Sequence, residues 1–445
     1  MRIKNIKIKN YRGILDEEIE FNKQVNVFIG GNGAGKTTLL EAIVACLLKI
    51  INSKATPSQN RNYTLTNKDI NYHKTHSSLL ALLEFSSFNK TWNVPLSLKI
   101  GLNQTPKSEI GTLFTSFKVE LNNKLSNSNF TLPIVKYYLA NRNAISYHQS
   151  NSTSTKIYQN PILESWDNFI HDKITYSKFF KWFSENEIQE LRLQRDEDSF
   201  EYKSPIINNV RIAIQKAFKK LNGKDYLVKS EAIKRNGTNQ LVPTIALQEK
   251  RSKVKEILDN KSAGEKAIIT LIADIAYNLS IAHNFSSNED FLKGSGIVLI
   301  DEIEAHLHPS WQRKIIPLLT DLFPNIQFFI TTHSPQAIAS VNSQNIFICD
   351  NFKFRKIDFK SKGMDSNTLL TTFFDTNERP TEYAKLISEF RDMMDANADI
   401  DKLEKRIKEI EALNQDDEGE DQSQLIEELR LELAAHKFDL EHEIN

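Results

Sequence analysis

The sequence predicts an α/β chain: a parallel sheet at its core, an antiparallel β lobe beside it, a helical insert, and a helical hairpin near the C-terminal end. Three observations carry that prediction. An apolar run, Val25–Ile29, ends in Gly30-Gly31-Asn32-Gly33-Ala34-Gly35-Lys36-Thr37-Thr38 and passes into a segment of helical period. Far downstream, two nearly continuous apolar runs, residues 297–300 and 326–330, flank one helical segment, which is the spacing of a β–α–β unit. Between these ends, strand-like segments give way to helical spacing near residue 160.

In chain order, residues 3–8 and 14–21 read as strands and 25–29 as a third. Leu39, Leu40, Ile43, Val44, Leu47 and Leu48 then recur at helical spacing, so a buried helix follows the glycines. Residues 52–70 are polar and Asn-rich and read as a loop, and strands are expected at 79–85, 96–100, 114–121 and 132–135. From 160 to 222 the pattern is helical, and its aromatic cluster Phe179-Phe180-Lys181-Trp182-Phe183 is read as core. A hairpin over 226–233 and 241–247 turns near Asn236-Gly237. Helices follow at 266–281 and 311–323. In the tail, Leu403, Ile407, Ile410 and Leu413 make one stripe, and Leu425, Leu429 and Leu433 a second, across an acidic turn at 414–423. These stripes must bury against each other or against another chain. The division that results is 1–150, 151–258, 259–355 and 356–445, with no internal repeat.

The 445 residues include 57 Lys+Arg and 57 Asp+Glu, so no global charge draws the chain to nucleic acid or to an acidic membrane. The charge is uneven: residues 401–445 carry 15 acidic and 6 basic side chains, a net −9, which leaves +9 on the rest. No run reaches the roughly 18 apolar residues of a membrane span. The opening residues alternate Lys or Arg with Ile as a strand does, not as a signal peptide does, so a cytoplasmic location is expected. Cys46 and Cys349 are far apart and make neither a disulfide framework nor a metal spacing.

The stretch from Gly30 to Thr37 fits G-x-x-x-x-G-K-[ST] in the required context of strand, turn and helix. Its glycines let backbone N–H groups curl round a phosphate at the positive end of the following helix. In that setting Lys36 reaches the β- and γ-phosphates of ATP, and Thr37 places its hydroxyl on Mg²⁺. Asp301 and Glu302 end the strand at 297–300, where one carboxylate can hold Mg²⁺ and the other can orient or deprotonate a water. His333 ends the next strand, and ligands of open α/β sheets sit at such ends.

Together, Lys36, Asp301-Glu302 and His333 resemble the Walker A, Walker B and H-loop elements of an ABC-type ATPase. Lys261-Ser262-Ala263-Gly264-Glu265 resembles the ABC signature, with Lys261 and Ala263 departing from the usual Leu and first Gly. The Gly264-Glu265 step is the form of the SMC/RecF branch, as is the opening Tyr11-Arg12-Gly13. The run from Asp301 through His306, His308 and Pro309 to Arg313 is similar to the AAA15/AAA21 group, as are Tyr137-Tyr138-Leu139-Ala140-Asn141-Arg142 and the 179–183 cluster. The resemblance covers about residues 1–350.

It implies a head that binds ATP and Mg²⁺ with Gly30–Thr38 and Arg12, and receives Ser262, Gly264 and Glu265 from a second head in a homo-oligomer. Glu302 would then be the base and His333 a γ-phosphate or Glu302 contact. Relatives of this group serve anti-phage systems of the Septu and retron kinds beside an HNH nuclease, so a nuclease partner is implied. The largely helical 112 residues after His333 are expected to hold no nuclease of their own. The alternative is a RecF-like ATPase acting on DNA alone. A transporter ATPase fits less well, because Lys36 and Asp301 are 265 positions apart. Lys216, Lys219, Lys220, Lys224, Lys250, Arg251, Lys253 and Lys255 form basic clusters that are read either as a DNA-facing surface or as a solvated face. Tyr137–Arg142 is open to a nucleotide, a subunit or a purely structural role.

Overall fold

The computed structural model describes residues 1–51, 65–87, 90–105, 107–109, 112–125, 130–140, 161–166, 169–171, 176–196, 198–199, 201–234, 241–283, 289–357, 368, 381–396, 398–412 and 420–442. The chain divides into two compact units, Met1–Ser366 and Asn367–Asn445. Asn141, Arg142, the expected turn at Asn236-Gly237, Leu413 and most of the acidic turn at 414–423 lie outside the described residues.

The first unit holds fifteen described strands: β1 (Arg2–Tyr11), β2 (Ile14–Glu20), β3 (Val25–Ile29), β4 (His76–Ser87), β5 (Lys90–Gly101), β6 (Lys107–Glu109), β7 (Ile134–Tyr138), β8 (Ile170–His171), β9 (Tyr226–Lys234), β10 (Leu241–Glu249), β11 (Lys255–Ile257), β12 (Gly296–Ile300), β13 (Ile326–Thr331), β14 (Ile346–Asp350) and β15 (Lys353–Lys356). Its helices are α1 (Lys36–Ile51), α2 (Thr112–Leu125), α3 (Tyr176–Asp196), α4 (Pro205–Asn222), α5 (Ala263–Ala282), α6 (Pro309–Leu322) and the short α7 (Pro335–Ile338).

Seven strands form the central sheet in the order β15-β14-β3-β13-β12-β7-β8. Every pair in it is parallel except β14 with β15. All residues of β3, β7, β12 and β13 are buried, which is why these strands are mostly apolar and not alternating, with Asn26, Lys136, Gln327 and Thr331 as their buried polar members. An antiparallel sheet, β2-β1-β4-β5-β6, lies apart from it in the pairing, and α1 packs against strands of both sheets. Gln327 of β13 joins the two layers. Its Oε1 accepts the Ile3 N–H at 2.7 Å, and its Nε2 donates to the carbonyls of Ile3 at 2.9 Å and Asn22 at 2.8 Å. A buried amide with every partner supplied fixes one register, where an apolar residue would allow several.

The expected strand at 114–121 is α2 instead. Phe114, Phe117 and Leu121 are its buried residues, and their spacing of three and four is the period of a helix. The aromatic bulk of the segment had favoured a strand, and the period overrules it. The 179–183 cluster is core as expected: Phe180 and Phe183 are buried, and Trp182 meets Tyr277 edge-on at 4.9 Å.

Helices α3 and α4 and the hairpin of β9 and β10 are tied by one buried charge cluster. Arg211 donates to Glu187 Oε1 and Glu190 Oε2, each at 2.6 Å. The remaining carboxylate oxygens accept the Ser230 N–H at 2.5 Å and the Ser204 N–H at 2.8 Å, so each buried charge has its partners. Of the basic side chains in this region, Lys219, Lys220, Lys224 and Lys255 pair with Asp225, Asp321, Glu249 and Glu231.

The second unit is α8 (Thr381–Asp395), α9 (Ile400–Ala412) and α10 (Glu420–His442). Leu403, Ile407 and Ile410 meet Leu425, Leu429 and Leu433, as the two stripes require, and Ile387 and Phe390 of α8 complete the cluster. The expected hairpin therefore has a third helix. Asp399 and Asp401 form an Asp-x-Asp step here, and Asp399 Oδ1 accepts the Asp401 N–H at 3.2 Å at the start of α9. No described helix is long and apolar enough to cross a membrane.

Candidate nucleotide site

Because β3, β12 and β13 are parallel neighbours, their C-terminal ends share one edge of the sheet, and each end carries one of the predicted motifs. The glycine loop leaves β3 with Gly30, Gly33 and Gly35 at φ of 148°, 79° and 102°, conformations that a Cβ would oppose. Lys36, 6% exposed, folds back over the loop, and its ammonium donates to the carbonyls of Gly30 at 2.9 Å and Gly31 at 2.8 Å. Burial lowers its pKa from the ordinary lysine value, and Cys349, Asp301, Glu304 and Glu302 pull the other way. A cation so placed gains from an added anion.

Thr37 Oγ1 donates to Asp301 Oδ2 at 3.0 Å, although the two residues are 264 positions apart in the chain. Asp301 is buried and also accepts the Thr331 hydroxyl at 2.5 Å. The same Thr331 oxygen accepts the Glu302 N–H at 2.8 Å, holding that residue at a φ of 49° with its side chain exposed. Two adjacent carboxylates therefore have opposite surroundings: one enclosed by hydroxyls, one facing solvent. Beside them the Glu304 Oε1 accepts the His333 N–H at 2.5 Å. Burial first, and Lys36 second, lower the pKa of the His333 ring against the pull of Glu304, Glu302 and Asp301, and so favour its neutral form. The hydroxyl of Thr37 and the carboxylate of Asp301 are the all-oxygen donors that a hard divalent cation takes.

Ser262 is the N-cap of α5 in a capping box: its Oγ accepts the Glu265 N–H at 3.2 Å, and Glu265 Oε2 accepts the Ser262 N–H at 3.0 Å. Lys261 adds an ion pair to Glu265 at 3.2 Å, and despite burial these contacts hold the Glu265 carboxyl below its ordinary value. The exposed end of this helix is thus pre-shaped within the chain. Gly264 packs against the segment after Asp301: a Cβ there would lie 2.3 Å from the His306 carbonyl oxygen. Gly264→Ala is expected to destabilise the first unit by roughly 1–3 kcal/mol through this overlap, read as a lower denaturant midpoint at unchanged slope. Full stability in that variant would mean the two segments separate freely.

Arg12 lies in the turn between β1 and β2 at a φ of 50°. Its guanidinium is engaged by Glu41 of α1 and, at 2.9 Å, by Asp69. Tyr137 and Tyr138 are buried, and the Tyr138 hydroxyl donates to Asp274 at 2.7 Å. Cys46 is buried inside α1, and burial pushes its thiol up to about 12, so it serves packing and not reactivity. One contributor has no role in the sequence reading, Thr331, whereas Glu304 stands there within the motif run that starts at Asp301. The signal for Thr331 is register: Ile330 pairs with Ile300, so Thr331 sits next to Asp301 only once that pairing is known.

A glycine-loop helix, a carboxylate strand and a histidine strand on neighbouring parallel strands, with a separate antiparallel sheet, make a mixed α/β fold that gathers the three predicted motifs on one sheet edge. The chain belongs to the family described as "AAA domain, putative AbiEii toxin, Type IV TA system", whose profile matches residues 25–339. It is similar to the "Retron Ec83 probable ATPase" of Escherichia coli, at 28% identity over 88% of this chain and 80% of that protein. It is also similar to the "Septu protein PtuA" of Bacillus thuringiensis, at 22% identity over 76% of this chain and 74% of that protein. Among solved structures, an SMC head bound to the C-winged helix domain of ScpA aligns with 80% of this chain and 98% of its own, at 14% identity and a TM-score of 0.45. Membership of this family supports ATP hydrolysis.

Proposed function

We propose that the chain binds ATP with the loop from Gly30 to Thr38, hydrolyses it between two heads, and uses the nucleotide state to control a partner nuclease in anti-phage defence. The observation that carries the reading is the convergence of Lys36, Thr37 and Asp301 on one sheet edge. The names of the retron and Septu relatives support the defence setting.

Phosphoryl transfer asks a protein mainly for placement and charge. Lys36 and the loop N–H groups offset the charge of the phosphates. Thr37 and Asp301 would hold Mg²⁺, which supplies further charge neutralisation when bound. Thr331 fixes the Asp301 carboxylate and the Glu302 backbone together, so the exposed Glu302 side chain can accept a proton from a water. The neutral His333 ring is suited to contact the γ-phosphate or Glu302, and Glu304 holds its backbone. Ser262, Gly264 and Glu265 at the start of α5 would meet the nucleotide of a second head.

The test is to express the chain with its native flanking genes, purify it by affinity and weigh the intact complex with ATP present. A nuclease, of HNH type on this reading, is expected in fixed ratio with an even number of heads. A homodimer holding only nucleotide or DNA would move the assignment to a RecF-like ATPase.

A further inference from the structure

At the turn of the β14–β15 hairpin, Asn351 and Phe352 hold φ of 46° and 61°. Two-residue turns of this hand suit strand twist, but glycine is the usual second residue, and a phenylalanine there is out of place. Backbone strain retained at one point directs attention to what that point touches. The Phe352 N–H donates to the carbonyl of Ala34, inside the glycine loop, at 3.1 Å. Its ring lies between glycines of two different elements. A Cβ on Gly13, in the β1–β2 turn, would come within 2.3 Å of the ring Cζ, and one on Gly35 within 2.6 Å of Cδ1. At the end of β14 the Cys349 carbonyl oxygen lies 2.1 Å from where a Cβ of Gly30 would be. The hairpin therefore meets the loop at its first glycine, at Ala34 and at Gly35.

We propose that Phe352 is a positioning residue for the phosphate loop: wedged between Gly13 and Gly35, with its N–H on Ala34, it sets the curl that aims the loop at a triphosphate, whatever base is attached. The inference rests on the nucleotide reading above and gives Gly13 a reason to lack a side chain. Stacking on a nucleobase is the rival use for such a ring. Here the ring lies against glycine on two sides, and its backbone is tied to the loop and not to a base pocket. Acting through the loop, Phe352 affects every ligand that the loop holds in the same proportion.

The experiment uses the full chain as wild type, Phe352→Ala, Phe352→Leu, Gly13→Ala and the double variant Gly13→Ala/Phe352→Ala. Titration calorimetry measures ATP, GTP and inorganic triphosphate with Mg²⁺, and amide hydrogen exchange follows residues 31–38 without ligand. Phe352→Ala is expected to weaken all three ligands by one common factor, about tenfold, and to speed exchange in the loop. Leucine should recover most of the loss. Gly13→Ala should weaken binding alone yet add nothing once the ring is gone. A loss confined to ATP, additive single effects, or unchanged loop exchange overturns the proposal. If Phe352→Ala is too unstable to purify, the leucine and Gly13→Ala variants decide it. A wild type that binds none of the three ligands refutes the nucleotide reading instead, and loop exchange still judges the wedge.

Discussion

Glu302→Gln is expected to lower the turnover rate for ATP by about 100-fold or more while leaving the affinity for ATP within roughly threefold of wild type. The argument starts from the different surroundings of two neighbouring carboxylates. Asp301 is buried, and both Thr37 and Thr331 donate to it, so its oxygens are committed. Glu302 is anchored by its backbone N–H on Thr331, and its side chain reaches solvent. A residue needed to hold the phosphates would be expected among the enclosed groups. A residue needed to take a proton from water must instead meet water. Glutamine keeps the size and one acceptor of the side chain but cannot become the conjugate acid, so the loss falls on the chemical step. Equilibrium binding and phosphate release, measured on the same preparation, separate the two. Hydrolysis at the wild-type rate would remove Glu302 from the role, and Glu304, against the His333 backbone, would be the next carboxylate to test.

What the sequence made legible was local. Strand, glycine turn and helix over 25–51 are contiguous, each fixed by residues within a few positions, and β3 and α1 fall where the apolar pattern places them. Ser262 and Glu265 likewise announce a helix start, because a capping box needs only four residues. The segment at 114–121 failed for a physical reason: three large apolar residues fit either a strand or a helix until their spacing is weighed above their bulk. The β14–β15 hairpin went unread because its turn, Asn351-Phe352, lacks the glycine that marks such turns. Thr331 was invisible for another reason. A hydroxyl at a strand end acquires meaning only when β13 is known to lie beside β12, and no local pattern states that order. Arg12, which the resemblance makes a nucleotide contact, shows something no local pattern states: in the chain it joins the β1–β2 turn to α1 through Glu41 and to Asp69.

Lys36→Met is expected to weaken ATP by about 10- to 100-fold and, at the same time, to cost the empty protein little stability. The two halves of this expectation have one origin. In the chain alone, Lys36 is enclosed, and among the described residues its acceptors within hydrogen-bonding distance are the two neutral carbonyls of Gly30 and Gly31. Burial therefore dominates, and the pKa falls below the usual lysine value despite the negative charges nearby. A charge held at such a disadvantage contributes little to folding, and methionine of similar length removes its desolvation cost. A phosphate reverses the balance, because a dianion against the ammonium restores the counter-charge that burial denied it. The sign of the pH effect follows. Anion binding favours the protonated lysine, so wild-type affinity should fall as pH rises through the depressed pKa, and binding at alkaline pH should take up a proton. In Lys36→Met both effects should vanish. Titration calorimetry in two buffers of different ionisation enthalpy reads the proton uptake directly, and thermal unfolding without ligand reads the stability. ATP affinity equal to wild type in this variant, or the same alkaline fall in both proteins, would place the phosphates somewhere other than the loop that begins at Gly30.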